Sequence, residues 1–142
     1  MKTTITAIAL AITTAATAVS AEGAYLGGMA YQLDGFAIED DIEFSAFAGY
    51  RVDMNGVMVG AEAGTDGDFY TVEGQVGYSV VEDVVVYGFV GGIELFEEKG
   101  YSYGVGADYV TEEGLLIGAR YMEADFDGTK VDQIGVRVGL AF

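Results

Sequence analysis

The side chains able to do chemistry in this chain are carboxylates, arginines and tyrosines, because histidine and cysteine are both absent. Without histidine there is no Ser-His-Asp or Cys-His arrangement, and most zinc sites are excluded as well. Without cysteine there is no thiolate chemistry and no disulfide framework. What remains is ion pairing. Glu62, Glu73, Arg120 and Arg137 are the four residues whose types and positions could meet as a buried charge network. Paired carboxylates could also serve acid–base catalysis, but one would need a raised pKa beside a substrate cleft. No segment between the expected elements is long enough to build such a cleft, so no catalytic residue, cofactor or enzymatic activity is expected.

The charge balance points the same way. Aspartate and glutamate outnumber lysine and arginine by 23 to 6, for a formal net charge of −17. Such a surface repels polyanions, so a nucleic-acid partner is excluded, since phosphates need lysine and arginine. The acidity does not signal disorder, because 51% of the residues are hydrophobic. Twenty-two glycines argue against helices, where each costs about 1 kcal/mol relative to alanine.

Acidic groups cluster at Glu39-Asp40-Asp41, Asp66-Gly67-Asp68, Glu97-Glu98 and Asp125-Phe126-Asp127-Gly128. The last resembles the start of a calcium loop, with oxygens at alternate positions. No glutamate closes a twelve-residue loop there, and tight turns favour Asp and Gly for their own reasons. No specific metal site is assigned.

The elements that must position these groups follow from spacing. Residues 1–21, MKTTITAIALAITTAATAVSA, read as a signal peptide: Lys2, an apolar stretch from Ile5 to Ile12, and a small-residue cleavage site at Val19-Ser20-Ala21. The domain is then expected over 22–142. No apolar run reaches the roughly 20 residues a membrane helix needs. The longest, Val84 to Phe96, is interrupted by three glycines and Glu94.

Instead, hydrophobicity alternates with period two between turn-like segments. Strands are expected near 24–33, 42–51, 57–65, 70–80, 84–95, 101–110, 115–123 and 132–142. Residues 22–142 shared among eight strands leave about four to six residues per connection, if each strand takes the roughly 9–11 of a tilted membrane strand. The expected fold is all-β, an eight-stranded antiparallel up-and-down transmembrane barrel.

Each strand sorts into two faces. Phased on its charged residue, or on Gln32 in the first strand, one face carries Glu43, Arg51, Glu62, Glu73, Glu94, Asp108, Arg120 and Arg137, with Gln32, Gln75 and Gln133. Most strand glycines share it, among them Gly49, Gly60, Gly77, Gly88, Gly104, Gly106, Gly118, Gly135 and Gly139. The other face then takes all ten tyrosines, with Phe44, Phe89, Ile93, Ile134, Val136 and Val138. An eight-stranded bore has room only for filling side chains, so glycines and ionised groups belong inside. Tyrosines near strand ends suit the two membrane–water interfaces. A soluble carrier would turn both faces round. With the third and fourth strands opposite the seventh and eighth, Glu62 and Glu73 face Arg120 and Arg137 across the bore.

At this level the chain resembles the OmpA/OmpX-type small outer-membrane β-barrels, including porin-like single-domain proteins. The resemblance rests on the signal segment, on Ala46-Phe47-Ala48-Gly49-Tyr50-Arg51, and on the final strand IGVRVGLAF. It departs from the OmpA type in lacking a peptidoglycan-binding domain and from the OmpX type in its short loops. It implies residence in the bacterial outer membrane, reached through the periplasm, as a monomer in contact with lipid and lipopolysaccharide. It also implies that Phe142, Leu140 and Val138 form the signal read by the barrel-assembly machinery. The expected role is structural, supporting membrane integrity with the bore plugged by polar residues. The alternative is a narrow channel for water, ions or very small solutes. An adhesive surface is disfavoured by the short loops.

Overall fold

The computed structural model describes residues 23–34, 42–81 and 83–142. The proposed signal segment and the cluster Glu39-Asp40-Asp41 lie outside them. The described residues form eight strands: β1 (Gly23–Asp34), β2 (Glu43–Met54), β3 (Val57–Thr65), β4 (Phe69–Val81), β5 (Val84–Leu95), β6 (Glu98–Val110), β7 (Leu115–Phe126) and β8 (Thr129–Ala141). Each pairs antiparallel with its sequence neighbour, and β1 pairs with β8, so the sheet closes into an up-and-down barrel. Closure removes the unpaired edges that an open sheet would expose. The closing seam runs from Tyr25↔Ala141 to Asp34↔Asp132, and the Phe142 N–H donates to the Ala24 carbonyl at 2.8 Å.

Several strands run further than spacing suggests, because the hairpins are tight. Asn55 and Gly56 both have positive φ (60° and 88°), as do Asp127 and Gly128 (56° and 93°). These are the backbone values of two-residue type I′ turns, whose twist matches that of the flanking strands. Asp125-Phe126-Asp127-Gly128 is therefore hairpin and not a loop. Asp125 Oδ1 accepts from the Gly128 N–H at 2.8 Å, while Phe126 is buried in the bore. Phe96 and Glu97 also have positive φ (49° and 68°) without a glycine, a strained turn.

The face assignment holds in six strands and is corrected in two. In β1 the inward residues are Tyr25, Met29 and Tyr31, while Gln32 is exposed outside. In β5 they are Val85, Tyr87, Phe89 and Ile93, while Gly88 and Glu94 face outward. Three tyrosines, Tyr25, Tyr31 and Tyr87, thus belong to the interior, as do Phe89 and Ile93. The cause is common to both strands. Gln32 and Glu94 lie close to a rim, where a polar side chain meets water on the outside and carries no information about the bore.

The large inward side chains fit because neighbouring strands are bare beneath them. A Cβ on Gly106 would lie 2.5 Å from Tyr87 Cζ, one on Gly104 2.7 Å from Phe89 Cζ, and one on Gly27 2.7 Å from Phe47 Cζ. Knob and glycine hole sit on adjacent strands, which lets the rings lie flat against the wall. The bore is therefore a packed core of aromatic and aliphatic groups around a charged middle, rather than small and ionised groups alone.

Outside, the band between Tyr50, Tyr78 and Tyr109 near the end that carries the termini and Tyr70, Tyr103 and Tyr121 near the other end has no charged residue among the described ones; the first carboxylates, Glu94 and Glu123, pair with Tyr70 and Tyr103 at its edge. It exposes large apolar side chains directly, for example Val72 at 67% and Ile134 at 62%.

Gly106→Ala is expected to destabilise the barrel by roughly 1–3 kcal/mol through overpacking. Gly92→Ala, where an added Cβ meets nothing within 4 Å, should stay within about 0.5 kcal/mol. Urea unfolding of both variants in lipid checks the contrast.

Candidate functional site

The barrel brings the four residues singled out from sequence into one cluster at mid-bore. Alternation aims Glu62 of β3, Glu73 of β4, Arg120 of β7 and Arg137 of β8 inward, and closure sets the two strand pairs face to face. Arg120 reaches Glu62 Oε1 at 2.8 Å through Nη1 and Glu73 Oε2 at 2.7 Å through Nη2. Arg137 grips Glu62 with both terminal nitrogens, Nη1 to Oε1 at 3.0 Å and Nη2 to Oε2 at 2.8 Å. This is the forked geometry in which guanidinium and carboxylate bind most strongly.

The cluster is larger than the sequence indicated. Arg51 and Asp108 were placed on the inward face but not in the network, and they join it through Arg51 Nη2–Asp108 Oδ2 at 2.6 Å. Asp108 also lies 3.3 Å from Arg137 Nε, which links the two halves. Gln75 ties them further: its Oε1 accepts from Arg51 Nε at 3.2 Å, and its Nε2 donates to Glu62 and Glu73, each at 3.1 Å. Tyr25, assigned from sequence to the outer face, donates its hydroxyl to Glu62 Oε2 at 2.7 Å.

Each of the three arginines also lies over aromatic rings. Arg51 sits 4.5 Å and 4.8 Å from the ring centres of Tyr25 and Tyr87, Arg120 3.9 Å from Phe89, and Arg137 3.9 Å from Phe47. The signal that could have located Tyr25, Tyr87 and Phe89 was the run of inward glycines on neighbouring strands, which demands bulk opposite.

This arrangement is saturated with fixed charge and bears the marks of a structural layer. Three guanidinium groups face three carboxylates, so the layer is formally neutral, and Arg137 and Asp108 are fully buried. Among the described residues no group of acidic side chains forms a metal site. At the mouth opposite the termini, the Tyr31 hydroxyl contacts Asp66 Oδ2 at 2.6 Å and Glu43 Oε2 at 3.0 Å. On the outer wall, Tyr103 donates to Glu123 at 2.6 Å, and Lys130 pairs with the same oxygen at 2.9 Å. Val138 and Leu140 face outward, while Phe142 is half-buried beside the seam.

The class defined by fold and bore is a small closed antiparallel barrel, filled inside and apolar outside. Among solved structures it is similar to Ail, the attachment invasion locus protein of Yersinia pestis. Against the crystal structure the identity is 17%, with 84% of this chain and 96% of that chain covered and a TM-score of 0.60. Against the backbone structure of the Yersinia pestis outer membrane protein Ail in a phospholipid bilayer nanodisc, the identity is 20%, coverage 85% and 100%, and the TM-score 0.57. A de novo designed transmembrane β-barrel matches at 16% identity, covering 84% and 97%, with a TM-score of 0.55. No family model and no curated protein matches the chain. These likenesses establish the fold.

Removing one partner of a buried pair strands the other charge. Glu62→Ala, which orphans parts of both Arg120 and Arg137, should cost roughly 3–5 kcal/mol. Glu94→Gln on the outer wall should change stability by less than about 0.5 kcal/mol. Denaturant titration of the two variants separates inner from outer placement.

Proposed function

We propose that this chain is an exported outer-membrane barrel with a structural role in membrane integrity, residues 1–21 directing export and 22–142 forming the barrel. The observation that carries the reading is the division of the wall: an outer band without charge, and a bore in which every arginine is neutralised. In water the outer band would cost about 25 cal/mol for each Å² of apolar surface left exposed. In a bilayer that cost disappears. Tyr70 and Tyr78 are eight residues apart on β4, about 27 Å along the strand. A tilt of roughly 40° brings this to about 20 Å of height, close to the apolar band of about 25 Å in outer-membrane barrels.

The bore is the plug: an ionic layer held between apolar ones, with no continuous passage needed for its stability. A soluble carrier fits less well. Ligand pockets run to about 300–1,000 Å³, whereas the cavity in the bore beside Glu62 and Arg120 is about 20 Å³; the larger hollow of about 620 Å³ is an open groove on the outer wall among Val59, Val76, Val90 and Val105. The proposal assigns no catalytic role. Lipid and lipopolysaccharide are its surroundings, the barrel-assembly machinery its partner during insertion through Phe142, Leu140 and Val138, and the monomer its working state.

A related Ail structure is in complex with the heparin analogue sucrose octasulfate. That property does not carry over. Outside the bore, the only cations among the described residues are Lys99 and Lys130, set among an excess of carboxylates.

Cell fractionation and planar-bilayer recording test the reading together. The expected result is recovery in the outer membrane, faster gel migration before boiling than after it, and no resolvable single-channel steps. Recovery in the soluble periplasm would overturn membrane residence, and steady single-channel current would overturn the plug in favour of a narrow channel.

A further inference from the structure

The bore is not filled evenly along its length. Between the charged layer and the end carrying the termini, the buried inward side chains are Met58, Val85, Val110, Leu116 and Ala141, all apolar, while Asp53 and Ser79, paired with Met58 and Val85, are exposed at the rim. Leu116 is wholly inaccessible and Val85 almost so. Toward the other end the two walls differ. On β5 and β7 the inward Ile93, Met122 and Phe126 are buried. On β2 and β4, Phe47 and Phe69 are buried, but the polar Glu43, Ser45 and Thr71 beside them are only half-buried, as is Asp66 in the adjoining turn.

This polar wall leads down to a cavity of about 20 Å³, whose polar lining is Ser45, Thr71, Gln133, Glu62 and Arg120. A cavity of roughly 10–15 Å³ already suffices for one water molecule. Arg120 is 7% exposed, and its Nε–H has no acceptor among the protein groups although both terminal nitrogens are paired. A buried donor of this kind costs about 1–3 kcal/mol unless something accepts from it.

We infer that the bore is a blind hydrated crevice. Water enters at the mouth formed by Tyr31, Glu43 and Asp66, follows the β2–β4 wall, and ends in a bound water at Arg120. The seal is the apolar layer of Met58, Val85, Val110, Leu116 and Ala141, and the ion pairs form the floor above it. Nothing larger than water fits the bottom of the crevice, and the carboxylates at the mouth turn away small anions. A constriction of this kind blocks permeation by excluding water. The inference rests on the reading of the bore as closed and specifies where the closure lies.

The absence of cysteine from the chain permits a clean test by substituted-cysteine labelling. Thr71→Cys, Ser45→Cys and Val85→Cys would each be introduced into the full chain, folded in detergent micelles so that both mouths are accessible, and checked for the compact gel form. Each is then treated with a small charged methanethiosulfonate. Because thiol reactivity requires access to water, Thr71→Cys and Ser45→Cys should react roughly a hundredfold faster than Val85→Cys. Ser45→Cys reports on the same level should Thr71→Cys fail to fold. Equal rates at all three positions, or inertness at both upper positions, would overturn the crevice. Wild-type conductance separates the two readings: labelling that contradicts the crevice in a non-conducting barrel leaves the closed bore standing, whereas a conducting wild type removes both.

Discussion

In a barrel whose last strand pairs with its first, a charge aimed inward at mid-height cannot turn away to bulk solvent. Any arginine aimed inward must therefore find its partners within the bore, and that constraint governs the rest of this structure. Arg51, Arg120 and Arg137 meet Glu62, Glu73 and Asp108, and the layer cancels internally. The ionic layer thus contributes nothing to the formal net charge of −17. Such pairs are not primarily a source of stability, since a hydrophobic replacement of equal volume is often neutral or better. Their effect here is on register. Glu62 is held by two arginines from β7 and β8 and by Tyr25 of β1. A slip of one residue in β3, β7 or β8 would turn a carboxylate or a guanidinium toward the outer band, and one in β1 would withdraw Tyr25.

Charge neutrality alone does not fill a cylinder. The remaining volume is taken by rings that lie over glycines of the adjacent strand, as Tyr87 does at Gly106 and Phe89 at Gly104. The same rings stack on the arginines. One set of side chains therefore packs the wall and lines the ionic layer. Glycine, costly in most strands, is retained where bulk comes from next door.

The strand count, the antiparallel order and the inward face of six strands were legible because period-two alternation is strong and the turns are marked by Asn-Gly and Asp-Gly. The four principal charged residues were legible for the same reason, since each sits in mid-strand where inside and outside are sharply different environments. What was not legible came from the rims. Gln32 and Glu94 are polar because they meet water outside, and using them to set the phase reversed β1 and β5. That reversal hid Tyr25 and Tyr87, and with them the aromatic half of the ionic layer. Complementarity between neighbours is the signal that corrects it. β6 offers Gly100, Gly104 and Gly106 inward, so the inward face of β5 must carry the large residues of that strand.

With the faces set by structure, the outer band and the bore make opposite demands on the same valines and leucines, and this asymmetry is the heart of the account. Magnetisation transfer from lipid acyl-chain protons to valine and leucine methyl groups, in an otherwise deuterated barrel in bilayer nanodiscs, addresses it most directly. Strong transfer at Val72, Val76, Val90 and Val136, with little at Val85, Leu116 and Val131, is the result expected. Equal transfer to both sets, or water contact along the outer valines, would contradict it.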